Sequence, residues 1–347
     1  MAQYANAIIT KARAMYGKML SEDQYSELVR KQSIQEISSY LKDKTTYAYA
    51  LTGVQDSTVH RGQLENLLHK DLLYQYVRLV KYVQSTKGSL YNYIIMDMEI
   101  ELILSCLRDI ISDEQDVFIT SLPAFIQPYA RFNVFDMVNV ERIDQIAEIL
   151  KDTPYGEVIR RCAEKHPQEG RRINYTAYEV ALRTYYFKTL LEKAKRSVRG
   201  KAAGQIQEMI TLRAELMNIN TIFRLKTYFN TPPQEIRKAV LPFYCKINAR
   251  TMDTLIEAKD AQTFMHLLTQ TSYAGKIKPD AAFIEGQTDN IRFRLDLKLL
   301  RFSTDPQVVF MAFMLLRSME ADNIIRIIEG VRYGLAPEKI EKLLYRA

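Results

Sequence analysis

Three glutamates recur in this 347-residue chain in the same local company: Glu99, Glu215 and Glu320. Each is followed four residues later by isoleucine (Ile103, Ile219, Ile324), with further apolar residues at the next turn. A carboxylate in so apolar a helix is costly unless something partners it. Recurrence within one chain means that each copy needs the group. Two chemistries fit. In one, each Glu pairs with a basic residue of its own unit or accepts from a nearby backbone group, fixing geometry rather than adding much stability. In the other, the three Glu are acidic points facing a partner. The first is the simpler. Asn218 and Asn323 follow the second and third Glu by three residues, where the first copy has Leu102. Arg108 and Arg224 follow the first two Glu by nine residues, and Glu329 takes that place in the third copy. Nine residues is half a turn around a helix, so these arginines face away from their Glu.

Other reactive patterns are absent from the sequence. No Gly-x-x-x-x-Gly-Lys-Ser/Thr loop is present to cradle phosphates, and no Gly-x-Gly-x-x-Gly occurs. His60, His69, His166 and His266 form no HExxH or i,i+4 ligand pair, and His266 reads as a surface residue. No Gly-x-Ser-x-Gly elbow exists. Cys106, Cys162 and Cys245 are far apart, odd in number and without a CxxC pair, which reads as reduced, buried thiols. The expectation is a protein without catalysis, metal or cofactor.

The elements that carry the glutamates form an internal repeat. Ile37–Ala48, Ile146–Gly156 and Phe264–Ala274 share an apolar i, i+3, i+4 face, a polar turn containing Thr, then a tyrosine (Tyr47, Tyr155, Tyr273) and a small residue. The first copy has one extra turn residue. These tyrosines read as packing residues whose hydroxyls reach backbone groups. The Glu motif comes later in each copy, and Leu122-Pro123 and Leu241-Pro242 form a third landmark. A third Leu-Pro would fall about where the chain ends. Borders at the Leu-Pro joints give units 1–122, 123–241 and 242–347, because the residue before proline is pushed out of helical geometry.

Long 3.6-periodic stretches at 63–86, 175–199, 211–229 and 308–333 predict helices, and strand signals are thin, 116–120 being too short to count. Ser21 and Ser33 fit capping boxes, Pro232-Pro233, Pro306 and Pro337 sit at first turns, and Gly334 closes a helix. The fold class is therefore all-α.

Hydrophobic residues make up 47%, with only 12 Gly and 10 Pro, which excludes a disordered chain and a turn-rich β fold. The net charge is +7. Its densest stretch runs from Arg183 to Lys201, with seven Lys or Arg against Glu192 alone. Such a face fits anionic lipid headgroups, nucleic acid phosphates or acidic side chains, or is simply solvated. Tyr185, Tyr186 and Phe187 interleave with it at core-like spacing. The longest apolar run, 308–316, is nine residues, far short of the ~20 a membrane span needs. Residues 1–19 contain no apolar core segment and read as no secretory signal. A helical nucleic-acid-binding protein or a helical scaffold is the alternative reading; against the first, the basic residues do not recur with the units.

Three segments resemble the C/d family of V-type ATPase subunits, in its compact prokaryotic form. They are residues 12–20 (Ala-Arg13-Ala-Met-Tyr-Gly-Lys-Met-Leu), the Glu215-x-x-Asn218-Ile219 run leading to Arg224 and Tyr228, and Glu320-Ala-Asp-Asn323-Ile324 followed by Gly330-Val-Arg332-Tyr333-Gly334. The resemblance spans nearly the whole chain. It implies three helical units in a funnel with approximate threefold pseudo-symmetry. It also implies a non-catalytic central-stalk role, coupling a rotating shaft to the membrane proteolipid ring and transmitting torque for ion transport. The implied location is peripheral, on the cytoplasmic face, with no transmembrane segment. The implied partners are the shaft subunits and the proteolipid ring, with anionic lipid headgroups within reach and no nucleic acid. Candidate partner-binding residues are Arg13, Glu99, Glu215, Asn218, Arg224, Glu320, Asn323 and Arg332.

Overall fold

The computed structural model describes residues 2–55, 59–83, 89–112, 122–170, 172–278 and 284–345. Fifteen α-helices occur among them: α1 Ala2–Tyr16, α2 Glu22–Leu28, α3 Ile34–Lys44, α4 Arg61–Val80, α5 Tyr93–Ser112, α6 Ile143–Ile149, α7 Pro154–Lys165, α8 Tyr175–Ser197, α9 Gly200–Tyr228, α10 Pro233–Ala239, α11 Ala249–Glu257, α12 Ala261–Leu268, α13 Glu285–Phe302, α14 Pro306–Arg332 and α15 Pro337–Glu341. No strand occurs among the described residues; an isolated bridge joins Glu169 and Arg172. The all-α expectation holds. The segment 116–120 lies outside the described residues.

The helix starts follow their signals. Ser21 and Gln24 close a reciprocal capping box, satisfying two amides that the first turn leaves without partners. At Ser33 only half the box forms: its side chain accepts from the Glu36 amide, while the Glu36 carboxylate takes the amide of Gln32. Asp305 caps α14 ahead of Pro306. Gly334, at φ 64°, ends that helix in the left-handed conformation. Two boundaries differ from the periodic reading. Helix α4 stops at Val80 rather than continuing to 86. Helix α9 begins at Gly200, well before 211, because Lys201-Ala-Ala-Gly-Gln is helical by propensity without showing an apolar stripe.

The chain divides into two compact units. One comprises Met1–Ile95, Asp116–Ala130 and Asp296–Ala347, and the other Met96–Gln115 and Arg131–Leu295. In the first, α14 packs against α1, α4, α3 and α15. In the second, α8 packs against α7, α9 and α10, and α9 against α12.

Repeat-equivalent positions build both cores. In the second unit Ile219, Ile222 and Phe223 of α9 share a buried cluster with Phe264, Leu268, Tyr273 and Ile236. In the first, Ile324, Ile327 and Ile328 of α14 share one with Ile37, Leu41, Tyr47 and Ile340. Each such aliphatic side chain contributes about 1.5–3 kcal/mol on burial. The same face of the Glu-bearing helix thus anchors both, and the glutamate lies on that face one turn before Ile219 or Ile324.

Candidate functional site

The turn before each repeat tyrosine is built the same way three times. Thr45, Thr153 and Thr271 donate their hydroxyls to the carbonyls of Leu41, Leu150 and Leu268. The same hydroxyls accept the amides of Tyr47, Tyr155 and Tyr273 at 3.1–3.2 Å. The small residue after the tyrosine has a steric cause in the second copy. A Cβ on Gly156 would lie 2.5 Å from the Leu150 carbonyl oxygen.

Each tyrosine is thereby aimed at a glutamate. The Tyr155 hydroxyl donates to Glu99 at 2.5 Å, that of Tyr273 to Glu215 at 2.5 Å, and that of Tyr47 to Glu320 at 3.1 Å. Each glutamate also accepts backbone amides from the start of the segment that carries its tyrosine. Arg131 donates to Glu99 at 2.7 Å, and Leu20 to Glu320 at 2.6 Å. Glu215 takes three in succession, from Cys245 at 2.5 Å, Lys246 at 2.9 Å and Ile247 at 3.3 Å. Such charge-assisted bonds are about twice as strong as neutral ones. We call each assembly a clasp. The glutamate of one copy grips the tyrosine segment of the next, and the last glutamate grips the first tyrosine, so the expected borders at 122 and 241 run between clasp partners.

All three glutamates are at most 2% exposed. What balances their charge differs. In the first clasp the Arg131 guanidinium lies 3.8 Å from Glu99 and 5.6 Å from the Tyr155 ring centre. In the third, Arg317 bridges Glu320 and Asp71, the latter at 2.6 Å, and lies 4.2 Å from the Tyr47 ring centre. Gln75 donates to the same Asp71 at 3.0 Å. Burial pushes the Glu99 and Glu320 carboxyls above the ordinary glutamate value, against the pull of their tyrosines, amides and arginines.

Asn218 and Asn323 make a second lock. Asn218 donates to the Leu241 carbonyl at 2.8 Å and accepts its amide at 2.7 Å. Asn323 does the same with Tyr345, both at 2.9 Å. Tyr345 thus stands where the third Leu-Pro landmark falls. Leu102, buried in the first copy, has no polar group to make this lock.

The remaining candidates are placed differently. Arg13 caps α13, donating to the carbonyls of Leu300 at 2.9 Å and Ser303 at 2.8 Å. Arg108 and Arg224 are exposed; Arg108 donates to the Tyr175 hydroxyl at 2.6 Å. Arg332 is exposed at the end of α14, against the ring of Tyr333 at 4.6 Å. The α9 and α14 ends share exposed aromatics: Tyr228 and Phe229 on one, Tyr333 on the other. Of the basic stretch, Arg183 turns inward, pairing with Glu101 and, at 3.4 Å, with Asp97. Tyr186 and Phe187 are core residues.

Sequence reasoning gave the repeat tyrosines backbone partners; their hydroxyls reach the repeat glutamates instead. Asp71 and Arg317 were not singled out at all. The clasp had a signal in the shared spacing of the Glu and Tyr landmarks. The Asp71–Arg317 pair occurs in only one clasp and had none.

No group of His, Cys, Asp and Glu among the described residues is arranged to hold a metal ion. A groove of about 630 Å³ between α7, α8 and α10 is lined by Cys162 and His166. Burial raises that thiol to about 11, the reverse of an activated nucleophile. Burial raises Cys106 to about 12, and Cys245 is only partly buried. No helix among the described residues is long and apolar enough to cross a membrane.

Known proteins match along nearly the whole length. The C subunit of the A-type ATP synthase of Pyrococcus horikoshii is 24% identical over 353 aligned residues, covering 98% of this chain and 89% of the relative. The Pyrococcus abyssi protein of the same name is 23% identical, with the same coverage. That of Archaeoglobus fulgidus is 20% identical, covering 96% and 94%. The ATP synthase (C/AC39) subunit family matches residues 8–343, so the chain belongs to that family and is a non-catalytic subunit of a rotary ATPase.

Proposed function

We propose that this chain is the coupling piece of the central stalk, joining the rotating shaft to the proteolipid ring on the cytoplasmic face of the membrane and passing torque between them. The observation that carries the reading is the thrice-built clasp. A torque-bearing part fails by shear between its segments. Directional, buried, charge-assisted bonds resist shear better than apolar contact, which slides at little cost. Each clasp ties a long helix to the segment that begins the next copy, so load entering one copy is handed on.

In this reading the three units 1–122, 123–241 and 242–347 gather round an axis as a funnel with approximate threefold pseudo-symmetry. The buried residues Glu99, Glu215, Glu320, Asn218 and Asn323 hold the body together, and Arg13 ties α1 to the end of α13. Partner contact falls to Arg224 and Arg332, beside the exposed Tyr228, Phe229 and Tyr333.

The test is affinity capture of the tagged chain from detergent-solubilised membranes of its own cell, with partners identified by mass. Recovery of shaft subunits and proteolipid together is expected. Phe229→Ala with Arg224→Glu should lower recovery of one of the two while leaving the other. Capture of neither would sink the proposal.

A further inference from the structure

We propose that the α8–α9 turn is an electrostatic membrane contact, in which Lys195, Arg196, Arg199 and Lys201 meet the anionic phospholipid headgroups of a bilayer surface. The proposal rests on the chain being a peripheral subunit of a membrane-bound machine, and names the part of its surface that meets lipid.

The four side chains are exposed, and none has a carboxylate within ion-pair distance among the described residues. Some exposed cations elsewhere in the same unit are neutralised by neighbours: Arg142 by Asp144, Lys151 by Glu148, Arg161 by Glu157, Lys238 by Glu235. The turn itself is held firmly. Val198 is 3% exposed and anchors it to the body. Gly200, at φ 59°, reverses the chain. Arg199 folds back onto the Lys195 carbonyl at the C-terminus of α8, where positive charge is favoured. Open space surrounds the backbone at Gly200 and Gly204, where an added Cβ would meet nothing within 4 Å. The result is an uncluttered tip of positive charge with no carboxylate partner among the described residues.

A bilayer fits this tip better than nucleic acid does. Single strands are held on exposed aromatic platforms. The aromatics of this helix point the other way: Tyr186 and Phe187 are at most 1% exposed, and Tyr185 is half-buried. Arg183, which would extend the basic face along α8, is committed to Glu101 and Asp97. What remains is a compact end-on cluster suited to a flat anionic surface, with no exposed apolar anchor in 195–201 and hence strongly salt-dependent.

The experiment is flotation of the purified chain with vesicles of phosphatidylcholine, with and without phosphatidylglycerol, at low and high salt. Binding to the anionic vesicles alone, lost at high salt, is expected. Each cation removed should weaken it roughly fivefold. The combined Lys195→Gln, Arg196→Gln, Arg199→Gln and Lys201→Gln variant should therefore bind far more weakly. Arg161→Gln, altering a cation already paired, should bind like the parent. Equal binding to both vesicle types, or undiminished binding by the combined variant, overturns the proposal. So does a DNA duplex that displaces the chain from vesicles at the same salt. Detergent-phase capture of shaft and ring is read separately: if capture works and flotation fails, only the lipid contact falls; if flotation works and capture fails, only the stalk assignment does.

Discussion

Glu215 and Glu320 stand at equivalent positions on equivalent helices, yet their charges are met by different means. Glu215 is surrounded by three successive backbone amides and Tyr273. Glu320 has one amide, Tyr47 at longer range, and a buried arginine shared with Asp71. The separations of the partners along the chain are 58 residues for Tyr273–Glu215 and 273 for Tyr47–Glu320. By the logarithm of loop length, closing the longer one costs about 1.4 kcal/mol more. A buried ion pair does not necessarily offset that cost in net stability. It does penalise wrong pairing, because any segment lacking Asp71 leaves Arg317 buried with only one of its two carboxylates. The Glu215 closure uses backbone geometry; closure of the chain's two ends at Glu320 uses side-chain identity.

The largest effect expected on breaking this contrast is at Arg317. Arg317→Met leaves two buried carboxylates without their cation and should cost about 3–5 kcal/mol in chemical denaturation. If Arg317→Met loses less than Glu215→Gln, the contrast is wrong. Glu215→Gln keeps one acceptor oxygen and turns the other into an NH2 that faces donors the carboxylate had served, costing about 1–3 kcal/mol. Replacing Asn218 by Leu, the residue found at 102, strands both polar groups of Leu241; about 1–3 kcal/mol should be lost, and hydrogen exchange at the Leu241 amide should rise.

The smallest effect is one of pH. Burial raises the Glu99 carboxyl above its unfolded value, so the folded state holds its proton longer. Its contribution is fully present below the unfolded pKa and is lost as pH rises through the folded one. The stability difference between parent and Glu99→Gln should therefore narrow from mildly acidic to neutral pH, by denaturant titration. A widening gap would show that Glu99 is held as a favoured anion.

Much of this was legible in the residues because it recurs. The Glu landmark, the Thr-Tyr turn and the Leu-Pro joint recur in the same order at similar spacing, and periodicity alone places the apolar faces of α9 and α14 in their cores. Contacts made once were not legible. Asp71 and Arg317 stand on α4 and α14 with nothing in their local sequence to join them. Nor was the inward turn of Arg183, since a charge count along one helix does not reveal which side meets Asp97 and Glu101. The start of α9 escaped because alanine-rich turns are helical without being amphipathic.

The grip of Glu320 on Leu20 and Tyr47 also sets a schedule for synthesis. A ribosome must deliver the final long helix before the opening segment has its proper partner. Helices α1 to α4 therefore emerge well before α14, the helix against which α1, α3 and α4 pack. Deletions at the far C-terminus should thus harm the beginning of the protein first, a reversal of the usual order in which chains mature.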